Sequence, residues 1–324
     1  MNRIKVTLLL LVFISNNLYA KSDLLFLELE GVAGYSDQEK KAIYHSASKH
    51  DSMQKNSIGI DYIHKFSNEK GDYGTTALQF RLSYNDAEKE FESHLYNAYF
   101  KYKSRDGDYW IGHNRLAFGI SSYIDNHSDL ISDLSMQGVG YDRDWGIGYS
   151  KDKAHGNISL ALTYGSGMDL RTYGNYLITA RISNGVLNYD NFTNGISFMA
   201  GKNLSAMGYK VMDKTPKKVW LLGYDYAYNV DNIEHKIELD GGQRNDLPYY
   251  AVLYRLKVKL DNEERYVWDI QPTYVLENKQ ENWDISNQIS YRVNGDLILR
   301  FMHQYKHRTS ENLCIAQAYW YFAL

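Results

Sequence analysis

Between Asp284 and His307 two residue types take turns. Ile285, Ile289, Tyr291 and Val293 alternate with Asp284, Ser286, Gln288, Ser290 and Arg292. Beyond Asn294-Gly295 the same beat resumes, with Leu297, Leu299, Phe301 and Tyr305 set against Arg300, Gln304 and Lys306. Period two marks a strand with one oily and one wet face. Asn-Gly between two such runs predicts a hairpin whose turn residues take positive φ. The oily face needs either a second sheet or lipid against it.

The alternation recurs along the chain. It predicts sixteen strands, at 24–34, 55–66, 73–84, 92–103, 106–118, 138–150, 156–164, 173–183, 194–203, 217–228, 232–241, 247–260, 264–275, 283–293, 296–306 and 313–324. Most run to about 9–13 residues. An ordinary globular strand has roughly 5–6, whereas a tilted strand crossing a bilayer needs about 9–11. With both termini on the periplasmic side, odd-numbered connections are external. The three longest, 35–54, 119–137 and 204–216, are all odd; even ones such as "SNEKGD", "SRDG", "NVDN" and "DNEE" are tight, and only 184–193 is long. Long external loops and short periplasmic turns are the habit of outer-membrane barrels. Closure also removes sheet edges that hydrocarbon could not satisfy. The expected fold is therefore all-β, one transmembrane antiparallel barrel of about 16 strands (14–18 if a hairpin is misdrawn) over 21–324. Its outward teeth would include Ile158, Leu160 and Leu162, and also Trp220, Leu222 and Tyr224. Pro272 is at odds with a closed ladder and predicts a bulge or a shifted register there.

Composition agrees. The chain has 30 tyrosines and only three prolines, and tyrosine, with its apolar ring and polar tip, suits strands and membrane–water boundaries. Residues 1–20, "MNRIKVTLLLLVFISNNLYA", place Arg3 and Lys5 before an apolar stretch that is too short to span a bilayer, and end on Ala20. That is the layout of an export signal. Without it, 34 of the 36 basic residues face 39 acidic ones, a balance of −5, so nucleic acid is not an expected partner. The single Cys314 rules out an intrachain disulfide framework. The expected location is the outer membrane of a Gram-negative bacterium, with its lipid as a partner.

If the apolar teeth point out, the inward positions are charged with both signs. The bases include Lys65, Arg81, Lys101, Arg115, Arg181, Lys236, Arg255, Lys257, Arg292, Arg300 and Lys306, and the acids Asp61, Asp142, Asp144, Asp225, Glu234, Glu238, Asp269 and Asp284. Sixteen strands leave room for an aqueous channel. The fifth connection, "GISSYIDNHSDLISDLSMQ" (119–137), mixes Asp125, Asp129 and Asp133 with Ile124, Leu130, Ile131, Leu134 and Met136. Loops of this length are usually functional or disordered, and its apolar residues would find cover on the barrel wall. Folded inward, its aspartates would face wall bases such as Arg81, Lys101 and Arg115; the alternative is an exterior flap.

A sixteen-stranded barrel with an acidic, inward-folded third external loop resembles the trimeric bacterial porins. Within them, "YWIGHNRLAFG" (109–119), "YDRDWGIGYSKD" (141–152) and "NYLITARISNGVLNYDNFTNGISFMAG" (175–201) resemble the order of segments in the phosphate-selective porin family. The resemblance covers roughly 110–202 and rests on short motifs. It implies a homotrimer passing small hydrophilic solutes or ions, with Arg115 and Arg181 in a ladder of bases. Arg143, on the same face as Trp145, has no clear direction. The interspersed carboxylates and the net charge argue against selectivity for phosphate. The last strand, "LCIAQAYWYFAL", alternates outward as such barrels do but ends on Leu324 with Phe322 two before.

An outer-membrane enzyme needs a nucleophile with a base, or a metal. The chain has no G-x-S-x-G and no HExxH; "HSASKH" (45–50) reads as polar loop residues, and His113 with Arg115 as a pore-wall pair. No catalytic residue, metal or cofactor is expected. A secreted β-sandwich binding module is the third reading, but its strands would be shorter.

Overall fold

The structure is a computed structural model that describes residues 22–46, 54–120, 123–124, 128–137, 142–187, 189–207 and 210–324. The expected export signal at 1–20 lies outside these residues. Seventeen strands form one sheet. They are β1 (Asp23–Ser36), β2 (Lys41–Ile43), β3 (Ser57–Asn68), β4 (Gly71–Asn85), β5 (Glu90–Ser104), β6 (Gly107–Arg115), β7 (Arg143–Lys153), β8 (Gly156–Thr163) and β9 (Tyr176–Asn184). The second half holds β10 (Phe192–Met207), β11 (Lys210–Val230), β12 (Ile233–Arg244), β13 (Leu247–Lys259), β14 (Tyr266–Glu277), β15 (Gln280–Arg292), β16 (Leu297–Lys306) and β17 (Glu311–Ala323).

The sheet closes on itself. β1 pairs antiparallel with β17 from Phe26↔Ala323 to Ser36↔Leu313, and with β3 from Asp23↔His64 to Glu30↔Ser57. The three-residue β2 takes over beside the outer end of β1 where β3 leaves off, so it stands outside a ring of sixteen. Alternation along each strand then separates two faces. On β11 Trp220, Leu222 and Tyr224 are exposed while Val219, Leu221 and Asp225 are buried. The exposed apolar set circles the barrel and makes its outer surface a surface for lipid. Ring pairs gather near the even-numbered connections: Phe66 with Phe100, Tyr109 with Tyr149, Tyr226 with Tyr228, and Tyr266 with Tyr291. That is a girdle at the level of one membrane interface.

Three local expectations need correction. The connection 204–216 is mostly strand: β10 and β11 run on past the ring as a hairpin, joined at 208–209, with register shifts between Asn203 and Ala206. Asn294-Gly295 does not use positive φ. Instead the Asn294 carboxamide oxygen accepts the backbone N–H groups of Asp296 and Leu297, both at 2.9 Å, a side-chain turn. Positive φ is found at Asn245-Asp246 and Asn278-Lys279, in two-residue turns between β12 and β13 and between β14 and β15. Pro272 brings neither a bulge nor a slipped register. It is exposed on the outer face, and the β13–β14 ladder keeps its register from Leu253↔Thr273 to Leu256↔Ile270 while skipping the pairs between them.

Candidate functional site

The inner wall is built around buried ion pairs that reach over glycines. Arg81 of β4 donates from Nη1 to Glu30 at 2.8 Å and from Nη2 to Glu28, both on β1, two strands away. The intervening position on β3 is Gly59, where an added Cβ would come within 3.2 Å of the Glu28 carboxylate and 2.9 Å of the Phe80 carbonyl. The same device recurs opposite. Arg181 of β9 makes a two-pronged pair with Asp225 of β11 at 2.9 and 2.7 Å, over Gly195 of β10, whose Cβ would meet the guanidinium at 2.7 Å. A buried pair of this kind is held in place because losing one partner costs roughly 3–5 kcal/mol. Glu28 and Glu30 were not singled out from the sequence, although their alternation with Leu27 and Leu29 in β1 is signal enough.

The described parts of the connection between β6 and β7 (116–142) meet the inner wall on both sides. Leu116, Phe118 and Leu134 share one apolar cluster with the inward side chains Leu177, Met199, Leu221 and Leu253. Leu130 and Ile131 share another with Val32, Met302, Leu313 and Ile315 of β1, β16 and β17, and with Ile43 of β2. The inner face is therefore not uniformly wet, as expected, but carries two dry patches. Four wall side chains add polar contacts. The Ser197 hydroxyl accepts the Gly119 N–H at 2.9 Å, Gln317 donates to the Ser128 carbonyl at 3.0 Å, and Gln271 donates to the Ser132 carbonyl at 2.6 Å. Arg255 donates to the Asp129 carboxylate at 3.3 Å, the Ile131 carbonyl at 3.2 Å and the Gln271 side chain at 2.6 Å. The skipped ladder pairs beside Pro272 thus fall where Arg255 and Gln271 turn inward to grip the connection.

Of the residues picked from the sequence, Arg81 and Arg181 serve the wall pairs just described. Asp129 meets Arg255, an inward base by the alternation, rather than Arg81, Lys101 or Arg115. Burial pushes the Asp129 carboxyl up, but Arg255, Arg300 and Lys257 together with Gln288 outweigh it and hold the group below its ordinary range. Asp133 is fully buried and turns onto its own chain, accepting the Ser135 hydroxyl at 2.7 Å and the Met136 N–H at 3.2 Å, which caps the 3-10 turn Ser135–Gln137. Asp125 lies outside the described residues. His113 is fully buried, with its ring 5.2 Å from that of Trp145. His45 is buried too, its Nδ1 at 3.1 Å from the Ser46 carbonyl, while the Ser46 hydroxyl donates to Gln54 at 2.7 Å, which is the hydrogen bonding of a folded loop. Gln271 and Gln317 escaped the sequence reading because a lone inward glutamine carries no signal of its own.

Lys101 and Arg115 sit elsewhere. They line a cavity of about 860 Å³ under β5–β9 that is closed on one side by Leu116, Ala117 and Tyr123 of the connection and bordered by Leu187 and Tyr189 of the turn between β9 and β10. That turn, unusually long for its end of the barrel, reaches the connection: Leu187 packs with Ile120, Ala227 and Tyr123.

No family model and no curated protein matches the sequence. Solved structures do. OmpF of Salmonella typhi, determined in complex with daunomycin, aligns with a TM-score of 0.66 over 94% of this chain and 99% of its own at 10% identity. The anion-selective porin of Comamonas acidovorans gives 0.65 over 94% and 99% at 10% identity, and a loop L8 deletion mutant of OmpT, an outer membrane protein of Vibrio cholerae, gives 0.64 over 93% and 99% at 11%. At such identities the likeness carries the fold: this chain has the closed barrel of bacterial outer-membrane porins.

Proposed function

We propose that the chain is an outer-membrane channel of a Gram-negative bacterium for passive diffusion of small hydrophilic solutes or ions, narrowed by the connection 119–137 folded into the barrel. Residues 1–20 serve its export, and the apolar belt faces membrane lipid. A homotrimer is the assembly that the fold suggests. The observation that carries this reading is the grip of Ser197, Arg255, Gln271 and Gln317 on the connection, since all four side chains project from the inner face. Arg255 with Asp129, and the wall bases Arg81, Lys101, Arg115 and Arg181 with Asp125 and Asp133, would shape the field in the narrowed section. Neighbouring bases and acids balance along much of the wall, so K⁺ and Cl⁻ should differ in permeability by only a few-fold. Purified protein in a planar bilayer should give discrete conductance steps, with a small reversal potential in a KCl gradient. A bilayer that stays silent at high protein concentration would sink the proposal.

A further inference from the structure

We infer that the hairpin of β10 and β11 is a strap laid across one mouth of the barrel, latched by the ion pair of Lys210 with Glu92. Its purpose rests on the channel reading, since the latch sets how freely solute enters; its geometry does not. Lys210 opens β11, and its ammonium lies 3.3 Å from the Glu92 carboxylate at the head of β5. β5 and β11 stand six places apart in the ring. At about 4.8 Å per strand that is roughly 29 Å along the wall, far beyond the reach of a lysine. The contact is made because the hairpin leaves the ring and crosses the opening.

The bend that turns it inward is written between Asp213 and Lys217. Pro216 has no N–H to give the ladder, and the Asp213 carboxylate accepts the Thr215 N–H at 2.9 Å while pairing with Lys217 at 2.9 Å. The register slips there, from Asn203↔Lys217 to Ser205↔Asp213 and Ala206↔Val211. On the other strand Leu204 donates its N–H to the Gly165 carbonyl at 2.9 Å. Beyond the bend the strap has a covered underside. Leu204 is fully buried, and Ala206 joins the apolar cluster of Phe118 and Leu134. β10 also runs beside the 3-10 turn Ser135–Gln137, so the strap lies on the connection. The anchor on the far wall is preset. Glu92 accepts from Lys55 at 3.0 Å and from Asn85 at 2.9 Å, and Lys55 is fully buried. Those two donors hold the carboxylate in place, which makes Lys210 the movable half. Its side chain is partly exposed, and salt weakens a partly exposed ion pair.

Single-channel recording of the full chain tests the latch with Lys210→Gln and Lys210→Arg, each checked for an intact barrel by gel mobility before and after boiling. In about 0.1 M KCl, Lys210→Gln should raise mean conductance about 1.5-fold, and in about 1 M KCl it should converge on wild type. Lys210→Arg keeps the charge and should match wild type at both salts. A second measurement follows the strap directly. Met212 and Lys89 are both exposed, and spin labels on Met212→Cys and Lys89→Cys, in a Cys314→Ser background, report the span across the mouth. They should give one narrow distance in the folded chain in detergent, which Lys210→Gln should lengthen and broaden. Identical distance distributions with and without Lys210→Gln, or a conductance ratio that does not change with salt, would overturn the inference. A distance that broadens in Lys210→Gln while bilayers stay silent keeps the strap and loses the channel. Conductance steps with identical distributions do the reverse.

Discussion

Arg255 shows how a single side chain joins wall and loop. It spends its donors on Gln271, on Asp129 and on the Ile131 carbonyl, so its loss strips two anchors from the connection and leaves Asp129 short of its nearest cation. At about 1 kcal/mol for each hydrogen bond, more where charge is involved, Arg255→Gln should loosen the segment by one to two decades in its open–closed balance. Single-channel recordings should show flicker and a higher mean conductance than wild type. Acid reaches the same contact from the other partner. The Asp129 carboxyl is held below its usual value of 3.8, so its contribution is complete above that pH and fades as pH falls through the lower, folded value. Wild-type conductance should therefore stay level from pH 7 to about 4.5 and become noisy only below the ordinary carboxylate range. A transition between pH 5 and 7 would show that another group governs the anchor.

At the scale of elements, the described residues of the connection between β6 and β7 pack against inward side chains of the barrel. Leu130 and Ile131 are fully buried against β1, β16 and β17, and Leu134 against the inner faces of the β9–β13 side. Burying a leucine contributes about 1.5–3 kcal/mol, enough to hold the described residues of the segment against the wall. Deleting 124–134 should clearly raise conductance without unfolding the ring, whose ladder hydrogen bonds do not involve these residues. An unchanged conductance would assign the narrowing to the hairpin of β10 and β11, whose Lys210 reaches Glu92 at the head of β5 at 3.3 Å.

For the whole molecule, closure is the dominant fact. Every strand of the ring has two neighbours, so the ring presents no free edge at which detergent could begin unzipping it. Residues 21–324 should migrate faster on a gel unheated than boiled, with a circular dichroism spectrum dominated by strand. A soluble product, or identical mobility before and after boiling, would contradict the barrel in solution.

The sequence by itself determined the barrel: strand number and the oily face outward were legible, because period two is enforced at each residue by lipid on one side. It also determined that the fifth connection carries apolar residues in need of cover, and Asp129 and Asp133 as its polar points. Only the tertiary structure decided what those residues meet. Arg255, Gln271 and Gln317 lie more than a hundred residues from the segment they hold, and local alternation says which way a side chain points, not what stands across the barrel. The same limit hid the glycine-crossed pairs of Arg81 and Arg181, where the partner sits two strands away and the glycine between looks like any other. His113 escaped for a related reason, since its cover against Trp145 comes from neighbouring strands and not from its own. Register between distant strands, closed into a ring, is what converts a list of inward charges into particular contacts.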